Sequence, residues 1–277
     1  MKRRGIGATI ASTVVAVFCV VAIAPLVWHG LSSLKTASEV SQIPPTIVPE
    51  SPTLSNYEEL FVRRPFGLYF LNSIVIASLA TLLCLAVGSL AAYWLIRLPS
   101  RLRTILASGL LVLGFFPPIV FLFPLYELVQ KAGAMNHPWA LILPYAGLNL
   151  PLTIWLLAGY LQKIPRELEE AASIDGMTEF QTFRLILLPL AAPALATTGI
   201  LVFIFCWNEF MFALTFMNLD SARTITVGSA TLSGAFAYQL PWGLLAAGVV
   251  ITALPLIVVV MLFQRRIVEG LTAGSLK

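Results

Sequence analysis

The chain has 277 residues, of which 58% are hydrophobic and 11% charged, and its mean hydropathy is +0.90. A soluble globular domain carries charge on about a quarter of its residues, so this composition excludes such a domain and makes lipid the solvent for most of the chain. The net charge of +4 does not indicate nucleic-acid binding, because the basic residues are spread over loop ends, and contact with anionic membrane lipid explains them.

Six stretches without charged residues are long enough to cross a bilayer as helices, since one crossing needs about 20 apolar residues. The expected helices lie near residues 10–31, 69–96, 104–129, 139–161, 191–216 and 244–263. The sequence therefore predicts an all-α integral membrane protein with six transmembrane helices, which form a single transmembrane domain over 1–277 and place both termini on one side.

The basic residues predict which side that is. If the N-terminus is cytoplasmic, the inner segments hold twelve Lys and Arg and the outer segments hold five. Cytoplasmic loops carry the excess of Lys and Arg, so both termini are expected in the cytoplasm. The first apolar stretch also resembles a secretory signal, but Pro25 directly after Ala22-Ile23-Ala24 disfavours cleavage, and we expect this helix to be retained.

Two extracytoplasmic segments are longer than a turn. Residues 32–65 contain four prolines, Pro44, Pro45, Pro49 and Pro52, whose spacing favours an extended segment that lies on the surface. Residues 217–242 are rich in Ser, Thr and Gly, and we expect them to cover the outer ends of the transmembrane helices.

Polar residues inside the apolar stretches are candidates for function, because ionisable groups are costly at membrane depth. Glu209, with Asn208 beside it, lies about two thirds along the fifth stretch and is either a pathway or gate residue or a structural hydrogen-bonding group. Asn72 is a further pathway candidate, although interhelical hydrogen bonding explains it as well. Prolines in the third, fourth and sixth stretches allow kinks: Pro117, Pro118, Pro124, Pro144, Pro151 and Pro255.

The cytoplasmic loop 162–188 is predicted to be two short helices separated by a glycine turn. Pro165 and three acidic residues fit a first helical turn, Gly176 ends that helix, and Thr178 with Gln181 forms a capping-box pattern for a second helix. An exposed helical hairpin of this kind suits docking to a partner protein.

Seven residues at fixed spacing lie in and after this loop: Glu170, Ala171, Ala172, Gly176, Ile186, Leu188 and Pro189. This pattern is the EAA motif, and the chain resembles the permeases of ATP-binding-cassette sugar importers, especially the smaller permease of maltose- and trehalose-type systems. Asn72-Ser73, Trp207-Asn208-Glu209-Phe210 and the tail after Gln264 extend the resemblance over most of the chain.

The resemblance implies a type I importer permease fold and a transport subunit that is not itself an enzyme. It implies four kinds of partner: a second permease, an ATPase dimer that holds ATP and magnesium, an extracytoplasmic sugar-binding protein, and membrane lipid. The residues it assigns to ATPase coupling are Glu170, Ala171, Ala172, Asp175, Gly176, Met177, Phe183 and Pro189. Met177 departs from the family, which often has Ala there. In the cytoplasmic tail, 264–277, ATPase contact through Gly270, Leu271 and Thr272 and plain membrane anchoring are both open.

Two other classes of function are weaker. A stand-alone secondary transporter predicts paired repeats and several mid-membrane charges, whereas the chain offers one such residue, Glu209. A membrane enzyme predicts clustered His, Glu or Cys, but Cys19, Cys84 and Cys206 are isolated in apolar runs, and no phosphate-binding loop sequence occurs. The sugar stays open among maltose, trehalose, sucrose, related α-glucosides and glucosylated compatible solutes.

Overall fold

The computed structural model describes residues 3–232 and 240–272, with side chains for 8–232 and 240–263. Within these residues the regular elements are all helical. In chain order they are α1 (Arg3–Ser33), α2 (Ala37–Val40), α3 (Ser55–Glu58), α4 (Phe66–Arg97), α5 (Ser100–Gly114), α6 (Leu122–Lys131), α7 (Trp139–Leu161), α8 (Glu167–Ile174), α9 (Glu179–Thr182), α10 (Leu188–Leu190), α11 (Ala192–Asn208), α12 (Met211–Phe216), α13 (Ile225–Ala230) and α14 (Trp242–Thr272). Two π-helical turns, Glu59–Arg63 and Phe183–Leu187, and two 3-10 turns, Pro118–Phe121 and Asp220–Ala222, complete them.

Four of these helices are long and apolar enough to cross a membrane. They are Ala8–Ser33 of α1, all of α4, all of α7 and Trp242–Phe263 of α14. They correspond to the first, second, fourth and sixth predicted stretches, and α7 has the predicted bounds. Among the described residues the number rises to six if two bent helix pairs each count as one span.

The third stretch, predicted as one helix over 104–129, is broken. α5 ends at Gly114, and Ser100–Gly114 makes an angle of 85° with Pro118–Lys131. Pro117 and Pro118 explain the break, because neither has an N–H to continue the helical hydrogen bonds and the residue before a proline avoids helical angles. Pro117 is accordingly extended, with φ −59° and ψ 118°.

The fifth stretch, predicted as one helix over 191–216, is broken as well. Glu179–Leu190 bends by 76° into α11, which begins at Ala192 and ends at Asn208. Glu209 is extended, with ψ 132°, and α12 starts two residues later. The prolines of the fourth and sixth stretches do not break their helices, since α7 and α14 run through them.

The chain forms two compact units. Met1–Gly67 with Gly228–Pro255 is the first, and Leu68–Val227 with Leu256–Lys277 is the second. The second unit contains a buried cluster built by α4, α7 and the chain from the π-helical turn Phe183–Leu187 to Ala191. Its members are Ala92, Tyr93, Leu95, Leu157, Ala158, Leu161, Phe183, Leu187 and Ala191. This cluster supports the end of α4 beside the loop that carries the EAA motif.

In the first unit, the segment 32–65 is more ordered than the predicted extended chain. Lys35 is 3% exposed, donates from Nζ to the carbonyl of Thr46, and lies 5.1 Å above the ring of Trp28. Oε1 of buried Glu39 accepts hydrogen bonds of 2.9 Å from the Thr46 hydroxyl and from the N–H of Glu50. These charge-assisted bonds fix the fold of the segment.

The hydrogen bond from the Glu50 N–H, with that from Thr46, lowers the pKa of the Glu39 carboxyl below its usual value, although burial opposes the shift. A lowered pKa in the folded state adds stability above the unfolded pKa, and this stability is lost as the pH falls through the folded pKa. We therefore expect Glu39→Gln to speed amide hydrogen exchange in residues 36–53 at pH 7, and to remove the extra loosening of the wild type at acidic pH.

Hydrogen exchange of the purified protein in detergent, followed by mass spectrometry, measures both effects. Glu58→Gln is the matched control, because Glu58 is exposed and its side chain makes no hydrogen bond or ion pair within the described residues. Equal exchange in the two variants would contradict the role of Glu39.

Candidate functional site

The predicted helical hairpin is present over Glu167–Thr182, formed by α8 and α9; we call this range the hairpin. Arg166 is the residue before α8, so Pro165 lies just outside the first turn in which it was predicted. α8 ends in a glycine cap: the N–H of Met177 donates to the Ala172 carbonyl at 2.9 Å, and the N–H of Gly176 donates to Ser173 at 3.1 Å.

Gly176 has a φ of +81°, a backbone angle that residues other than glycine rarely adopt. α9 then starts with the predicted capping box. The N–H of Gln181 donates to the Thr178 hydroxyl at 3.3 Å, and the N–H of Thr178 donates to Gln181 Oε1 at 2.8 Å. The turn between the two helices is thus closed by local hydrogen bonds, so its shape is set by the sequence of the loop itself.

The outer face of the hairpin combines a carboxylate with apolar side chains. Glu170 and Ala171 are exposed, and Leu168, Ile174 and Phe180 are 39%, 86% and 60% exposed. Exposure of apolar side chains to water is unfavourable, and an exposed apolar patch with polar residues around it is typical of a docking site. We call Leu168, Glu170, Ala171, Ile174 and Phe180 the docking face.

The residues predicted for ATPase coupling do not all lie on one surface. Asp175, Gly176 and Pro189 are exposed and Met177 is half-buried, whereas Ala172 and Phe183 are buried at 2% and 6% exposure. Ala171 is exposed whereas its neighbour Ala172 is buried, so the two alanines do not lie on the same surface. Pro189 lies in α10, before the bend at Ala191.

Two side chains of α4 hold the hairpin. The Tyr93 hydroxyl donates to the Glu179 carbonyl at 2.9 Å, and Arg97 forms an ion pair with Glu169. The Arg97 guanidinium also lies 3.4 Å above the Tyr93 ring, and that ring packs 4.9 Å from the ring of Phe183. Both helices of the hairpin are therefore attached to the same turn of α4. We call Tyr93, Arg97, Glu169 and Glu179 the hairpin clamp.

The sequence analysis did not identify the hairpin clamp. Arg97 was counted only as a basic residue at the end of a span, and Glu169 only as an acid in a first helical turn. Seventy-two residues separate this pair along the chain. A Tyr four residues before an Arg at a helix end is the signal that was available, since the two side chains lie on one face.

Glu209 closes the break in the fifth stretch. Its Oε1 accepts the N–H of Phe212 at 3.1 Å, and its Oε2 accepts the N–H of Ala213 at 3.3 Å and the Tyr145 hydroxyl at 2.6 Å. The carboxylate thereby satisfies N–H groups at the start of α12, which have no helical partner. Asn208 is exposed and donates to the Ile204 carbonyl at 2.8 Å.

Asn72 and Ser73, at the other end of α4, bind the segment after the fifth stretch. Asn72 Nδ2 donates to the carbonyls of Ser221 and Arg223, both at 3.0 Å, and Ser73 Oγ accepts the N–H of Ile225 at 2.8 Å. The Thr226 hydroxyl then donates to the Glu209 carbonyl at 3.0 Å. A continuous series of contacts thus joins α4 to the break at Glu209.

The tail residues Gly270, Leu271 and Thr272 belong to the last turn of α14, and their side chains lie outside the described part of the chain, as do residues 273–277. Their predicted contact stays a prediction.

The described residues contain helices long and apolar enough to span a membrane, two bent helix pairs and an exposed hairpin, which define a multi-span membrane protein. Residues 84–272 match the family described as binding-protein-dependent transport system inner membrane component, and the chain belongs to that family. The resemblance found in the sequence is confirmed.

Curated relatives agree over nearly the full length. The chain is 40% identical to the trehalose/maltose transport system permease protein MalG of Thermococcus litoralis, covering 93% of this chain and 92% of the relative. It is 39% identical to the sulfoquinovosyl glycerol transport system permease protein SmoH of Agrobacterium fabrum, covering 91% and 88%. In a crystal structure of a bacterial ABC transporter involved in alginate import, one chain shares the fold with a TM-score of 0.79 at 19% identity, covering 96% of this chain and 98% of that one.

Replacing Gly176 tests whether the hairpin turn depends on its left-handed backbone. Nothing lies within 4 Å of a Cβ built there, so Gly176→Ala acts through the backbone alone. We expect a cost of about 1–2 kcal/mol, seen as roughly 5- to 30-fold faster hydrogen exchange in the hairpin. Gly109→Ala in α5 is the control, since Gly109 has equal space and a helical position. Slower exchange in the hairpin of Gly176→Ala would contradict this account.

Proposed function

We propose that this chain is a permease subunit of an ATP-driven, binding-protein-dependent importer of a di- or oligosaccharide or a related glucoside. The names of its relatives support a glycoside substrate, since they include trehalose, maltose and sulfoquinovosyl glycerol. The exposed hairpin, held rigidly to α4, is the single observation that carries the mechanism. The permease forms half of the pathway, with a second permease as the other half, and receives sugar from an extracytoplasmic binding protein.

In this proposal the two bent helix pairs each count as one span, which gives six spans and puts both termini in the cytoplasm. The excess of Lys and Arg in the segments that would then be cytoplasmic supports the orientation. The hairpin lies on the cytoplasmic side, and the segment held by Asn72 lies outside.

The docking face binds a separate ATPase subunit, which holds ATP and magnesium. Glu170 supplies a charge for a basic group on that subunit, and Ala171, with its small side chain, allows close approach. Ile174 and Phe180 add apolar area that water does not favour. Ala172 is buried, so it packs α8 against the rest of this chain and does not contact the ATPase.

α4 transmits the movement in this mechanism. It is 32 residues long, which corresponds to about 48 Å of helix. The hairpin clamp fixes its cytoplasmic end to the hairpin, and Asn72 and Ser73 fix its outer end to the segment that reaches Glu209. Closure of the ATPase dimer therefore displaces α4 and the half-helices around Glu209 together, which opens one side of the pathway and closes the other.

Charge reversal at Glu170 tests the docking face. We expect Glu170→Lys to abolish sugar uptake and the association with the ATPase while leaving membrane insertion intact, because Glu170 is exposed and its side chain makes no hydrogen bond or ion pair within the described residues. Uptake of labelled sugar, ATPase co-purification and membrane fractionation measure the three properties. Glu127→Lys is the control, since it makes the same charge change on an exposed residue of α6. Normal uptake by Glu170→Lys would remove the coupling role.

A double-mutant cycle tests the hairpin clamp. The side chains of Arg97 and Glu169 are about one quarter exposed, so Arg97→Gln is expected to cost only about 1 kcal/mol of stability. It should nevertheless reduce sugar-stimulated ATPase activity and uptake in the assembled transporter, because α8 loses its attachment to α4.

Since the two residues act as a pair, the double variant that carries both Arg97→Gln and Glu169→Gln should lose little more ATPase activity and uptake than the single variant Arg97→Gln. Losses of activity that simply add in the double variant would show that the two residues act independently, against the proposal.

A further inference from the structure

A polar cavity of about 450 Å³ lies where the ends of α4 and α7 meet the starts of α5 and α8. Five charged side chains line it: Arg97, Arg103, Arg166, Glu169 and Glu170. The rest of the wall is formed by Ile96, Leu161, Gln162 and Ile164. The hairpin clamp forms one wall, but neither the docking face nor the clamp uses Arg103 or Arg166.

The charges in this cavity do not balance, since three arginines and two glutamates, Glu169 and Glu170, leave a net charge of +1. Arg97 and Glu169 neutralise each other. Arg103 is half-buried and donates from one nitrogen to the Ile96 carbonyl at 3.3 Å, which leaves its remaining N–H groups for the cavity. Arg166 is exposed, and its guanidinium makes no hydrogen bond or ion pair with any residue that the structure describes, although its carbonyl accepts the N–H groups of Glu169 and Glu170. Two guanidinium groups thus offer donors to one space, and a guanidinium fork matches the oxygens of a phosphate.

The surroundings indicate which anion fits. Ile96, Leu161 and Ile164 line the cavity beside the arginines, so its wall is partly apolar. On α5, Leu102 and Leu106 flank Arg103 and are 44% and 43% exposed. A phosphate group joined to a hydrocarbon chain covers both the charged and the apolar surface, whereas a free phosphate ion covers only the first.

The geometry points to a binding site for an anionic phospholipid, whose phosphodiester lies between Arg103 and Arg166 while its acyl chains run along α5. Basic pockets between helices at a membrane surface are suited to such headgroups. The bound lipid fills the space behind α8 and supports the hairpin from the membrane side. This inference rests on the proposed function only in assigning the site to the cytoplasmic leaflet.

Native mass spectrometry of the full chain tests the site without any transport partner. The purified, delipidated protein is titrated with dioleoyl phosphatidylglycerol, with zwitterionic dioleoyl phosphatidylethanolamine and with inorganic phosphate. We expect phosphatidylglycerol to bind more tightly than phosphatidylethanolamine, and each of Arg103→Gln and Arg166→Gln to weaken it about fivefold, since one arginine near an anionic headgroup contributes about 1 kcal/mol.

Arg101→Gln is the matched control, because Arg101 is exposed on the same turn of α5 and does not line the cavity. Arg103→Lys keeps the charge and loses the fork, and it should weaken binding less than Arg103→Gln. The wild-type preference between the two lipids decides the question even if the variants fold poorly.

Three results would overturn the proposal. The first is equal binding of the two lipids, and the second is an equal loss of binding in Arg101→Gln. The third is displacement of phosphatidylglycerol by millimolar phosphate, which would assign the cavity to a free ion. An acidic side chain of the ATPase as the true occupant predicts no lipid preference in the isolated chain. Because lipid binding is measured without uptake, a failure here differs from a failure of the coupling proposal.

Discussion

Tyr93 and Arg97 attach the hairpin to α4, and the rest of the proposed mechanism depends on that attachment. Each makes an ordinary contact: one hydroxyl to a carbonyl, and one guanidinium to a carboxylate and over a ring. Their value lies in their placement four residues apart, which puts both on one helix face and lets one turn of α4 hold both α8 and α9. The buried Phe183 ring against Tyr93 adds packing that keeps the pair in place.

The lipid environment explains why the breaks in this bundle occur where they do. A helix that ends within a membrane leaves N–H and C=O groups with no water to bind, so irregular backbone needs partners from the protein. At the break after α11, one carboxylate accepts two N–H groups and one hydroxyl, and Thr226 donates to the carbonyl of the same residue. Glu209 is a functional candidate in the sequence because charge at membrane depth is costly. In the structure its carboxylate is used to bind the backbone and the hydroxyl at the break.

Sequence predicted the parts of the fold whose signals are local. Four spans and the bounds of α7 follow from apolar length, and the glycine cap and capping box of the hairpin follow from residues a few positions apart. The break at Pro117 was missed because a proline in an apolar stretch is compatible with a kink or with a complete break, and packing decides between them. The break at Glu209 was missed because no proline lies beside it to mark a break. The Arg97–Glu169 pair was missed because the two residues are 72 positions apart in the sequence.

The exposed apolar part of the hairpin also affects the life of the subunit before it is assembled. Ile174 and Phe180, on either side of the turn between α8 and α9, are 86% and 60% exposed. A newly inserted chain that has not met its partners presents these side chains to water. We expect such an orphan chain to be recognised by chaperones and membrane proteases, so that the cell keeps this subunit only in proportion to the partners that cover it.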